Sequence, residues 1–133
     1  IVFHHGTPAS ASLWSQWFTY AAEAGIRAIS YSRAGYGTSD RDYGRSIVSV
    51  NKDISEVLAS KGIERFVAIG WSGGGPHALA GALDHRNVGV ITLAGVGEYG
   101  ASAESRLILI TFGPGVISLG TLNDPESTCR PVD

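Results

Sequence analysis

The 133-residue sequence contains no methionine and a single cysteine, Cys129. A lone thiol closes no internal disulfide, so nothing points to an oxidising compartment, and the paired Cys/His clusters of a zinc site are absent. The expectations are a cytoplasmic rather than secreted setting, no metal and no cofactor. Charge is sparse as well, at 17% of residues with a net charge of −2. The arginines are scattered singly, which leaves no basic patch for nucleic acid. A long apolar run is also missing. The stretch from Leu107 to Leu122 is broken by Gly113, Pro114 and Gly115, and it is too short for a comfortable bilayer crossing, so no membrane span is expected. With no methionine and a first residue, Ile1, already inside an apolar run, the chain reads as a piece of a longer protein. No basic segment precedes that run, which makes it a core strand rather than a targeting signal.

What is present is apolar and rich in glycine: 44% hydrophobic residues and 18 glycines, most of them between apolar runs. That pattern describes a globular chain with tight turns and close backbone approaches. Ile1 to Phe3 form a strand that ends at His4-His5-Gly6-Thr7-Pro8. Leu13, Trp14, Trp17, Phe18, Ala21 and Ala22 recur at helical spacing, with Gly25 as the stop. Ile26 to Tyr31 read as a second strand, ending in Arg33-Ala34-Gly35-Tyr36-Gly37-Thr38-Ser39-Asp40. Ile47, Val50, Ile54, Val57 and Leu58 make another amphipathic stripe, closed by Gly62. Phe66 to Ile69 form a strand, Pro76 to Leu83 a helix, and Val88 to Leu93 one more strand. Such alternation predicts an α/β fold, a three-layer α/β/α sandwich around a mostly parallel sheet. Residues 1–95 carry this core. Residues 96–133 show no clear alternation and read as an irregular tail, the start of a lid segment or a divergent end.

The chemistry centres on Gly70-Trp71-Ser72-Gly73-Gly74, a G-x-S-x-G sequence between a predicted strand and a predicted helix. A serine on so sharp a turn holds strained backbone angles, and its neighbours must lack side chains for the backbone to pass close by. Its hydroxyl then stands above the sheet edge beside a helix N-terminus, where a developing oxyanion is favoured. A phosphate-cradling loop is the competing reading. No lysine follows the glycines, Pro76 removes an amide donor, and the spacing fits neither nucleotide fingerprint. Ser72 is therefore the candidate nucleophile. Gly6, at the end of the first strand, lets the chain turn so that a following amide can face it.

With these two motifs in this order, the sequence resembles the α/β-hydrolase fold family, specifically members carrying H-G-x-P. The resemblance runs from Ile1 to about Ala94 and implies a partial α/β-hydrolase fold. It also implies an oxyanion hole formed by the amides of Thr7 and Gly73. Arg33 to Asp40 resembles the family's G-Y-G-x-S turn, and Gly73 to Ala80 its helix after the nucleophile; both are architectural. The family order is serine, acid, then histidine near the C-terminus, whereas no histidine follows His85 here. His77 lies one turn into the helix after Ser72 and His85 just past that helix, so neither is positioned as the base. His4 and His5 are expected to satisfy loop backbone. Glu98, Asp124 and Asp133 read as solvated carboxylates, and the acid and base stay unassigned. Trp71 either lines an acyl pocket or packs.

The resemblance implies an esterase-like serine hydrolase that cleaves a small-molecule ester or related acyl bond through an acyl-enzyme on Ser72. A non-catalytic ligand-binding member, an acyltransferase and a haloperoxidase-type member are the alternatives.

Overall fold

The computed structural model describes residues 1–96 and, as backbone strands, residues 107–112 and 115–121. The first strand, β1, spans Val2–His4 and is buried throughout. A 3-10 turn at Ala11–Trp14 leads into helix α1, Ser15–Glu23. Strand β2 is Ile29–Ser30, helix α2 is Val50–Ser60 and strand β3 is Phe66–Trp71. Helix α3, Gly75–Ala80, continues as a 3-10 turn over Gly81–Leu83 before strand β4, Asn87–Gly95. Strands β5, Leu107–Phe112, and β6, Gly115–Thr121, follow.

All six strands form one sheet in the order β2-β1-β3-β4-β5-β6. The pairings β1 with β2, β1 with β3, and β3 with β4 are parallel. Parallel neighbours cannot be joined by a hairpin, and α1, α2 and α3 supply the crossovers. In register, Val2 stands beside Ala68, and Ala68 beside Val90. Their common face meets Val50, Ile54 and Leu58 of α2 and Ala78 of α3 to form the buried core. The pleat sends the alternate residues the other way. Phe3 stacks on Trp14 at 4.6 Å between ring centroids, and Ile69 and Ile91 line the same face with Trp17 and Ala21. The result is the expected three-layer arrangement.

The glycine stops behave as their chemistry requires. At the end of α1, Gly25 takes φ 69°, while the amides of Gly25 and Ile26 return to Ala22 and Ala21 at 3.0 and 2.8 Å. Gly62, φ 60°, closes α2 in the same manner, with Ile63 N donating to Leu58 O at 3.0 Å. In this motif a left-handed residue lets the last carbonyls be satisfied, and glycine adopts it without a Cβ penalty. The first closure also shortens β2 from the expected Ile26 to Tyr31, because the Ile26 amide is committed to the helix end.

Two features depart from the sequence expectation. The apolar segment that begins at α1 opens with a 3-10 turn rather than a continuous helix. Within the stretch that lacks helix–strand alternation, β5 and β6 run antiparallel to their neighbours, joined across residues 113–114. Strict polar–apolar alternation is a signature of half-buried strands; β5 is a nearly unbroken apolar run and β6 is interrupted by Ser118 and Gly120, so neither shows it.

Candidate active site

Ser72 sits between β3 and α3 with φ 51°. For a residue with a side chain this left-handed backbone is uncommon and costs on the order of 1–2 kcal/mol. The surrounding backbone over-determines it. A Cβ on Gly70 would overlap Gly74 O and lie 2.8 Å from Ala78 Cβ. One on Gly74 would overlap His4 O and lie 2.8 Å from His5 O, and one on Gly75 would reach Gly95 Cα at 2.8 Å. At the end of β4, Ala94 takes φ 47°, and Val96 N then donates to Ser72 O at 3.3 Å. β1, the turn and β4 thus meet backbone to backbone, which only glycine permits. No side-chain hydrogen bond engages the Ser72 hydroxyl among the described residues.

The loop after β1 arrives directly over this turn. A Cβ at Gly73 would lie 2.7 Å from Thr7 Oγ1 and 3.3 Å from Thr7 N, so the two residues expected to donate amides are neighbours. Thr7 is exposed, the Thr7–Pro8 peptide is cis, and its hydroxyl meets Tyr36 Oη at 3.1 Å. Gly6 faces Trp71, whose ring would stand 2.7 Å from a Cβ there. Trp71 is 40% exposed and, with Leu13, Trp14, Trp17 and Leu93, lines an apolar cavity of about 230 Å³.

The four imidazoles differ sharply. His5 is buried, accepts from Arg33 N at Nε2 (3.1 Å) and donates from Nδ1 to Gly6 O (2.8 Å), a pairing that fixes its tautomer. Burial, followed by the Arg33 charge, holds its pKa below the ordinary value against the Gly6 bond. His4 departs from the expectation that it satisfies loop backbone: both ring nitrogens are buried and lack a partner among the described residues. Burial first, and then the charges of His77, Arg33 and His5, push its pKa down to about 3. The ring is held neutral against Tyr31, 5.9 Å away in a T-shaped contact. His77 turns back on the elbow, with Nδ1 3.0 Å from Gly73 O. Burial, then Arg33, pushes it down to about 4. His85 is exposed and lies 3.8 Å from Asp84. None reaches the Ser72 hydroxyl. Glu98, Asp124 and Asp133 lie outside the described residues.

Sequence reading passed over Arg33 as part of an architectural turn, yet it is 3% exposed. Its Nη1 donates to His5 O at 2.5 Å, and its guanidinium lies 5.1 Å from the Tyr36 ring centroid. An arginine inside a glycine-flanked turn was the available signal, but sequence alone does not separate a buried guanidinium from a solvated one. Among the described residues no cluster of three metal-ligating side chains forms, and no helix is long and apolar enough to cross a membrane.

Comparison with known proteins adds an independent line. The family model described as alpha/beta hydrolase fold matches residues 1–102. A non-heme haloperoxidase from Rhodococcus erythropolis is 33% identical over 76 residues, 56% of this chain and 28% of that protein. Among solved structures, Est816, described as an N-acyl homoserine lactone degrading enzyme, superposes with a TM-score of 0.63 at 32% identity, covering 71% of this chain and 37% of that one. An esterase from Exiguobacterium antarcticum superposes with a TM-score of 0.62 at 28% identity, over 71% of this chain and 37% of its own. The chain therefore spans well under half the length of these relatives.

Proposed function

Given that the chain belongs to the α/β-hydrolase fold family, we propose that it carries the nucleophile and oxyanion hole of a serine hydrolase acting on a small-molecule ester or related acyl compound. The observation that carries this reading is the strained Ser72, φ 51°, beside the Thr7–Gly73 approach. In the proposed reaction, Ser72 Oγ attacks the acyl carbonyl as its proton leaves to a base. The carbonyl oxygen takes the negative charge, facing the amides of Thr7 and Gly73. Collapse expels the alcohol and leaves an acyl-enzyme that water then hydrolyses. The helix that follows the serine adds its N-terminal dipole to the same charge. The proton acceptor is assigned to none of His4, His5, His77 or His85. The cavity of about 230 Å³ beside Trp71 favours short apolar acyl groups.

Two relatives of this kind, the esterase and the lactone-degrading enzyme, support acyl transfer. The haloperoxidase relative supports a second reading, in which peroxide takes the place of water. The test is steady-state hydrolysis of short-chain p-nitrophenyl esters by the full-length protein. Ser72→Ala should lower kcat by at least about a thousandfold, since it removes the covalent route. Unchanged turnover would mean a different nucleophile. Halide oxidation dependent on peroxide, with ester turnover negligible, would favour the second reading.

A further inference from the structure

Arg33 carries a charge that the proposed hydrolysis does not use. It is 3% exposed, and the ion pairs among the described residues belong to Arg45, His85 and Arg86 instead. Its partners, the His5 carbonyl and the Tyr36 ring, are neutral. A buried cation without a counter-charge is costly, and natural structures pair such groups. Arg33 borders a cavity of about 170 Å³ that is also lined by Tyr36, Arg45, Ser46 and His77. Among the described residues no carboxylate lines this cavity. Arg45 is bound to Asp53 at 2.6 Å, side chain to side chain, so among the described residues Asp53 is committed to Arg45 and Arg33 has no carboxylate of its own.

We propose that this cavity is a binding site for a small oxyanion, a phosphate or carboxylate group, held by the guanidiniums of Arg33 and Arg45 with the Ser46 hydroxyl as a further donor. Guanidinium forks match the geometry of such oxygens and bind them through charge-assisted hydrogen bonds. The volume lies below the several hundred Å³ of a drug-sized pocket, which suits an ion or a head group. The Ser46 hydroxyl oxygen accepts from the Ser49 amide in a capping box and lies 3.4 Å from Ser49 Oγ, which leaves its own proton to donate. His77 already gives Nδ1 to the Gly73 carbonyl at 3.0 Å, so its Nε2 edge remains for the cavity. Its pKa is held down by burial and by these same two arginines. A bound anion would relieve that pressure and raise it. Ser72, Thr7 and Gly73 do not line the cavity, so the proposal stands apart from the acyl chemistry.

The test is isothermal calorimetry on the full-length protein with inorganic phosphate, acetate and glycerol phosphate, alongside NMR titration of the His77 ring. Saturable binding is expected, with the His77 pKa rising in the presence of phosphate. Glycerol phosphate binding as tightly as phosphate identifies a free ion as the ligand, and tighter binding identifies the head group of a larger molecule. Arg45→Gln should weaken phosphate binding at least about tenfold, the worth of one charge-assisted hydrogen bond. Asp53→Asn, which removes the competing carboxylate, should strengthen it, a gain that a misfolded variant would not show. Absence of saturable binding by all three ions, or affinities unchanged in both variants, would overturn the proposal.

Discussion

Replacing Gly74 with alanine tests how tightly β1 is held against the serine turn. An added Cβ would overlap His4 O and stand 2.8 Å from both His4 C and His5 O. All three contacts are backbone, so no side-chain rotation relieves them. β1 and the turn must separate by about half an ångström or more, and overpacking of this kind costs about 3 kcal/mol, the upper part of the usual range. That is a large share of a typical stability of about 5–15 kcal/mol. With a urea slope of about 2 kcal/mol per molar, the unfolding midpoint of the full-length protein should fall by about 1.5 M. The same separation moves the Thr7 loop, so ester turnover should drop in parallel. Gly25→Ala provides the comparison: its φ is 69°, but no atom lies within 4 Å of the added carbon. It should cost only the left-handed penalty of about 1–2 kcal/mol and leave turnover alone. A Gly74→Ala protein as stable and as active as Gly25→Ala would refute the close-approach argument.

Three further outcomes follow from the same structure. Leu58, fully buried under the sheet, should cost about 2–5 kcal/mol when cut to alanine, read as a lowered urea midpoint with little change in KM. Trp71→Ala opens the apolar cavity beside the serine turn and should raise KM for short acyl esters by about tenfold, with a smaller effect on kcat. The pH dependence comes from His77 and His4, whose folded pKa values are pushed down to about 4 and about 3. The unfolded chain binds these protons first, so this contribution is present above about pH 6.5 and is lost as pH falls towards 4. His77→Gln should flatten the fall in urea midpoint between those pH values; an unaltered slope would show that His77 does not titrate as described.

How far the sequence could be read depended on the kind of signal each element carries. The turn at Ser72 was legible because three constraints coincide there: a strand before it, a helix after it, and glycines wherever backbone must pass backbone. The ends of α1 and α2 were legible for a similar reason, since Gly25 and Gly62 take the left-handed backbone that terminates each helix. Strands β5 and β6 were missed because neither sequence alternates polar with apolar residues, β5 being nearly all apolar and β6 carrying Ser118 and Gly120, and Gly113-Pro114-Gly115 reads as a break in one apolar run. At the site, the pairing of Thr7 with Gly73 could be inferred only from the resemblance, since 66 positions separate them in sequence. The surroundings of Arg33 could not be inferred at all. Whether a guanidinium is buried depends on what the loop after β2 packs against, and nothing local to Arg33-Ala34-Gly35 encodes the carbonyl of His5 as its partner.

The central claim is that Ser72 is a nucleophile held in a strained, oxyanion-stabilising turn, and covalent trapping tests it most directly. The full-length protein should be treated with a fluorophosphonate, then digested and sequenced by mass spectrometry. The account predicts one adduct per chain on the peptide containing Gly70-Trp71-Ser72-Gly73, and its complete loss in Ser72→Ala. An unlabelled wild-type protein that nonetheless hydrolyses esters, or an adduct on any other residue, would contradict it.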